Sequence, residues 1–168
     1  MESNNLLEEF LQLRDKWRRT IHLGMPVVNG ESLPWEDNQL GKMKWFLHPA
    51  LWDRCARTMI IFEQEIPPGE KSGKLRHQGG RIHYFLEGRG FTIADGERYD
   101  WESGDFLILP HKAEGTVHQH FNADPERPAR FIAAEPNLTD ALGPDQGCGF
   151  DILEEADSYS QLEANQNV

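Results

Sequence analysis

Nowhere in the chain do apolar residues run for the roughly 18 positions that a bilayer-spanning helix needs. The opening stretch, MESNNLLEEF, lacks the basic-then-apolar layout of a secretory leader. Both absences lead to the expectation of a cytoplasmic protein. Cysteine is scarce: Cys55 and Cys148 lie far apart and outside any metal-type spacing, so reduced, structural or incidental thiols are expected. Basic residues are outnumbered, 17 Lys and Arg against 28 Asp and Glu, for a formal charge of −11. That argues against nucleic acid, whose phosphates demand a basic surface, and against anionic membranes. Part of the excess is local, because Asp151 to Glu163 carries five acids and no Lys or Arg. This run reads as a solvated acidic tail. Internal repeats and low-complexity tracts are missing as well.

What remains fits one domain of 168 residues, long enough to bury a real core. Residues 5–19 predict a helix, with Leu6, Phe10, Leu13 and Trp17 forming one apolar stripe. Asn4 or Asn5 can cap it, and Glu8 and Glu9 sit where the helix dipole favours acids. The stripe is expected to pack on the barrel or on a partner subunit. Residues 21–53 show no clean period and read as an ordered arm rich in Pro, Gly and Trp. From Arg57 the pattern turns to short β-runs: RTMIIFEQEI, RIHYFLEG, FTIA, ERYDW, FLILP, VHQHFN and RFIAAE. Asp95-Gly96 is a strong two-residue hairpin signal. Many short strands without helices between them predict a sandwich or closed barrel. The expected layout is a helix and arm over 1–55, a barrel over 56–136 and a C-terminal segment with the acidic tail over 137–168.

Four histidines fall in or beside these β-runs. His118 and His120 are two apart, so on a strand they share a face. His77 and His83 are six apart and would share a face too, unless Gly79-Gly80 inserts a bulge. Imidazole nitrogens suit divalent first-row metals, and a rigid barrel can hold several around one point.

The stretch from Pro67 to Asn122 resembles the two sequence motifs of the cupin superfamily. PPGEKSGKLRHQGGRIHYFLEGRG is similar to the first, which normally runs Gly, a His-x-His pair, a Glu and a Leu-Glu-Gly turn. GDFLILPHKAEGTVHQHFN is similar to the second, with Gly104-Asp105, Pro110, His118 and Asn122 in its places. The resemblance implies an all-β cupin double-stranded β-helix, or jelly-roll barrel, with the helix and arm outside. Carried over position by position, the motif's second His falls on His77 and the later His on His118. Its first His falls on Leu75 and its Glu on Arg81, neither of which binds a metal. The expected substituted site is therefore His77, His118 and His120, with His83 as fourth ligand or supporting partner.

Arg81 and His83 are the candidate catalytic residues. An inward Arg81 would meet a substrate carboxylate; turned outward, it would be a surface charge. Phe85 should wall the pocket, Tyr84 should face outside, and His111 should sit in a loop. No role is expected for His22 or His48. All-histidine cupin sites resemble those of gentisate-type and diketone-cleaving dioxygenases. That implies an Fe(II) dioxygenase for an aromatic or enol-type small molecule, with Mn, Ni, Co, Cu or Zn as other metals. A non-catalytic ligand-binding cupin and a metal-dependent isomerase or lyase are the alternatives. The aromatic arm (Trp17, Trp35, Trp45, Phe46 and Trp52) leads to the expectation of a homodimer.

Overall fold

A computed structural model describes residues 5–139 and 150–166. The chain opens with helix α1 (Leu6–Leu23), and Asn5 Oδ1 accepts from the Glu8 N–H as its cap. A 3-10 turn follows (Gly30–Ser32), then β1 (Glu36–Asn38), β2 (Gly41–Leu47), β3 (Met59–Ile66), β4 (Lys74–His77) and β5 (Arg81–Glu87). Next come β6 (Arg89–Ala94), β7 (Glu97–Glu102), β8 (Phe106–Leu109), β9 (Thr116–Asn122), β10 (Ala129–Pro136) and β11 (Asp151–Glu154). Helix α2 (Asp157–Gln166) closes the described chain.

The strands form two antiparallel sheets, in the orders β1-β2-β3-β10-β5-β8 and β11-β4-β9-β6-β7. Their inner faces meet around Met43, Ile60, Phe62, Ile66, Phe85 and Phe131. Alternation decides what goes inside. On β5, Arg81, His83 and Phe85 are buried while Ile82, Tyr84 and Leu86 are exposed. The β6–β7 turn is the expected hairpin, with Asp95 at φ 50° and Gly96 at φ 88°, the positive pair of a type I′ turn. Gly90 on β6 allows a close approach. A side chain there would stand 2.0 Å from the Phe121 carbonyl oxygen and within 2.7 Å of the Trp101 ring. Glycine thus lets Trp101 lie against the strand and stack on Phe85 at 3.9 Å between ring centroids.

Three expectations change. The arm contains strands: β2 pairs along β3, from Lys42 opposite Glu65 to Leu47 opposite Ile61, so it belongs to the barrel wall. The acidic run is no simple solvated tail, because β11 pairs with β4 and Glu154 takes ion pairs from Lys71 and Lys74. Two lysines of the barrel thus neutralise what the run carries at this point, holding the Glu154 carboxyl down near 2. Finally, the barrel leaves the α1 stripe uncovered: the helix meets the body through Trp17 and Trp52, and none of its residues is buried.

The arm's aromatics are partly used within the chain. Trp35 lies over the ammonium groups of Lys42 and Lys44, and Trp45 packs against Phe62. Cys55 is a free thiol, and Cys148 lies outside the described residues. Among the described residues, no helix is long and apolar enough to cross a membrane.

Candidate metal centre

Strand β9 carries His118 and His120 on one face, and β5 brings His83 across the barrel to meet them. One ring nitrogen from each lies within 4.8 Å of the others, and all three residues are buried. The rings meet edge to face, His83 to His120 at 4.7 Å and His83 to His118 at 5.7 Å between centroids. Phe85 and Phe131 wall the cluster, with Phe131 4.7 Å from His120 and 5.3 Å from His83.

Burial pushes all three rings away from the charged form. For His83 the pKa falls well below 6.5, with His120, His118 and Arg81 adding their repulsion and the Leu107 backbone acting weakly against it. His118 is lowered in the same way by burial, then by Arg81 and His120. His120 is lowered to about 3 by burial and Arg81. The rings are therefore neutral at pH 7 and offer lone pairs. Nδ1 of His83 and Nδ1 of His118 are buried without any hydrogen-bond partner among the described residues. Three neutral imidazoles, two of them with bare buried nitrogens, fit a divalent transition metal.

His120 is held from behind. Its Nδ1 stands 2.7 Å from Thr92 Oγ1, which accepts the Trp101 indole N–H at 3.0 Å. For Nε2 to bind a metal, Nδ1 keeps its proton and donates it to Thr92, whose second lone pair serves Trp101. Gly90, Trp101 and Thr92 thus form one chain of support reaching the site.

The expected trio of His77, His118 and His120 differs from the one the fold assembles. His77 ends β4 in one sheet and His83 lies on β5 in the other, because the chain crosses between sheets at 78–80. Both rings turn inward, but His77 lies opposite Thr116 on β9, while the residue opposite His118 is Leu75. His77 points instead to Glu135 on β10, its Nε2 3.0 Å from Oε2.

Arg81 is inward and buried, and its Nε donates to the same Oε2 at 2.5 Å. Its partner is Glu135 of the chain itself, where a substrate carboxylate was expected. Burial raises the Glu135 carboxyl, but Arg81 and His77 outweigh it and leave the pKa below the usual value. Arg81 Nη2 and Glu135 Oε1 have no hydrogen-bond partner among the described residues. Sequence reasoning missed Glu135, although its parity with Phe131 and Ala133 in RFIAAE places it inside the barrel. Thr92 and Trp101 carried no comparable signal.

Tyr84 faces outward and Phe85 inward, as expected. Next to the Arg81 cluster lies Phe150, its ring 4.8 Å from the guanidinium carbon and 5.9 Å from the His77 ring. Beyond Phe150 opens a cavity of about 610 Å³ walled by Trp45, His48, Ile60, Ile152 and Tyr159.

The three depressed histidines make a pH signature for the metal-free protein. An unfolded imidazole takes its proton near 6.5, whereas these rings refuse it until much lower pH. Below about 6.5 the unfolded state therefore binds more protons than the native state. Their contribution is complete above that pH and is lost progressively on acidification. Glu135 adds no loss until the carboxylate range is reached. Urea unfolding between pH 7.5 and 5 should show a steep fall in stability; a flat profile would contradict neutral buried rings.

A family model described as a cupin domain matches residues 62–135, the stretch holding both clusters. Residues 62–135 thus carry a cupin domain, and the fold around them is that of cupin structures. It is 28% identical over 79 residues to a 5-aminosalicylate 1,2-dioxygenase of a Comamonas species, covering 47% of this chain and 20% of that protein. It is 32% identical over 84 residues to a 1-hydroxy-2-naphthoate 1,2-dioxygenase of Nocardioides sp. strain KP7, covering 47% and 22%. The chain thus spans about a fifth of the length of these curated relatives. In structure it is similar to the polyketide cyclase RemF of Streptomyces resistomycificus, with TM-score 0.58, 16% identity and coverage of 83% and 93%. A predicted oxalate decarboxylase of Thermotoga maritima gives 0.53 at 22% identity, covering 66% and 97%. These structural likenesses speak for the fold.

Proposed function

We propose that this protein is a metal-dependent dioxygenase that acts on an aromatic or enol-type small molecule. In this reading His83, His118 and His120 hold one divalent metal, Fe(II) foremost. The observation that carries it is the convergence of three buried, neutral imidazoles, two with ring nitrogens lacking any other partner. Two similar proteins are dioxygenases named for a salicylate and a hydroxynaphthoate, each an aromatic ring bearing a hydroxyl and a carboxylate.

A divalent metal held by these three rings would supply Lewis acidity and the chemistry with dioxygen. The remaining work falls to the chain. Phe85 and Phe131 keep the centre dry, which strengthens every polar contact inside it. Arg81 Nη2 donates to a substrate oxygen, while Glu135 Oε1 accepts from a substrate hydroxyl. Glu135 and His77 fix the guanidinium so that this donor needs no reorganisation during the reaction. The cavity beyond Phe150 takes the apolar body of the substrate.

The test begins with metal content of protein purified without a histidine tag, followed by anaerobic reconstitution with Fe(II). Oxygen uptake is then measured with a panel of hydroxylated aromatic acids and β-diketones. Stoichiometric metal and substrate-dependent oxygen uptake are expected. A protein that takes up no metal is a ligand-binding barrel. One that holds metal and turns substrate over without oxygen is an isomerase or lyase.

A further inference from the structure

Helix α1 leaves a complete apolar seam open to solvent. Leu6, Leu7, Phe10 and Leu13 are 69%, 66%, 64% and 52% exposed. Leu6, Phe10, Leu13 and Trp17 follow the alternating four-three spacing of a coiled-coil seam. The helix meets the body near its C-terminal end. Trp17 packs edge-on against Trp52 at 5.4 Å, Arg57 lies over Trp52 at 3.6 Å, and Met25 bridges to Arg54. Between that end and the body runs a groove of about 490 Å³, walled by Leu13, Lys16, Trp17, Ile21, Trp52 and Arg57.

We infer that this groove receives the first turns of α1 from a second copy of the chain, the two helices packing antiparallel about a two-fold axis. Charge selects this occupant. The first turn carries Glu8 and Glu9, and the groove end carries Lys16 and Arg57, with Arg18 and Arg19 close by on the helix. Antiparallel pairing sets acids against bases at both ends and opposes the two helix dipoles. It also places Leu6 of each copy by Trp17 of the other, Phe10 by Leu13, and Glu9 beside Lys16. Each helix supplies both a plug and a groove, so the contact closes on itself as a dimer. Parallel pairing would instead crowd the acids of one end together and the bases of the other. The contact is independent of the metal chemistry.

The test is light scattering on the full chain over a range of concentration, where a mass twice the 19.3 kDa of one chain is expected at about 50 µM. No α1 side chain is buried, so Phe10→Asp with Leu13→Asp should leave the circular dichroism and thermal transition of the barrel intact while producing a monomer. Lys16→Glu should weaken dimerisation about tenfold, and adding Glu9→Lys should restore it. With both native cysteines changed to Ser, Leu6→Cys chains should cross-link to Trp17→Cys chains faster than to themselves. A wild-type monomer overturns the inference. So does a dimer that survives the Phe10 and Leu13 changes, which would move the contact to the outer sheet face of Ile82, Tyr84, Phe106 and Ile108. Faster Leu6→Cys self-linking overturns the antiparallel arrangement.

Discussion

Alanine at His118 or His83 should empty the metal site, whereas alanine at His77 should leave metal in place. His118, His83 and His120 each put a ring nitrogen within 4.8 Å of the other two, and His77 is spent on Glu135. Loss of one of three imidazoles removes a bond to the metal, and the protein should leave a desalting column without it. Thr92→Val is the graded control. It removes only the group that orients His120, and such supporting residues typically cost about 10–100-fold in affinity. His111→Ala, on the loop after β8, should retain metal like the wild type. Chelator competition followed by elemental analysis separates these classes. If His77→Ala loses the metal while His83→Ala keeps it, the centre is the His77, His118 and His120 set.

Arg81→Met should be among the most destabilising single changes in the barrel. Glu135 is fully buried, and the guanidinium is the main charge offsetting its desolvation. Breaking a buried pair on one side typically costs about 3–5 kcal/mol, since the surviving charge is left without compensation. For a chain of this size that corresponds to roughly 10 °C in melting temperature. Changing both residues, Arg81→Met with Glu135→Leu, should recover most of the loss, because no uncompensated charge remains. Thermal unfolding of the metal-free proteins measures this directly. A loss below about 1 kcal/mol for Arg81→Met would mean that water reaches the pair.

Much of this was readable from the residues because strand parity is a strong constraint. The inward turn of Phe85, the outward turn of Tyr84, the pairing of His118 with His120 and the Asp95-Gly96 hairpin all follow from backbone geometry within one short segment. Parity also turned His77 and His83 inward, but it says nothing of height along the barrel, and His77 stands level with Thr116, not with His118. Strand β2 was hidden because Trp, Lys and Gly in GKMKWFL blur the alternation, and Trp35 lies over its Lys42 and Lys44. The role of Glu154 was hidden for another reason: its neutralising lysines lie more than seventy residues earlier in the chain. Glu135 was available by the same parity that placed Phe131. A charge on an inward strand position calls for an inward partner, and Arg81 was already waiting for one.

Strand β10 lies between β3 and β5, with Pro136 opposite Met59 and Ala134 opposite both Ile61 and Ile82. It is the latest of these three to leave the ribosome, yet the other two depend on it for their mutual alignment. Until it inserts, the edges of β3 and β5 are unpaired and the Arg81 charge has no carboxylate to meet. Such long-range closure makes for slow folding, on the order of milliseconds to seconds. A nascent chain halted before residue 129 should therefore remain protease-sensitive, and protection should appear once Glu135 has cleared the exit tunnel.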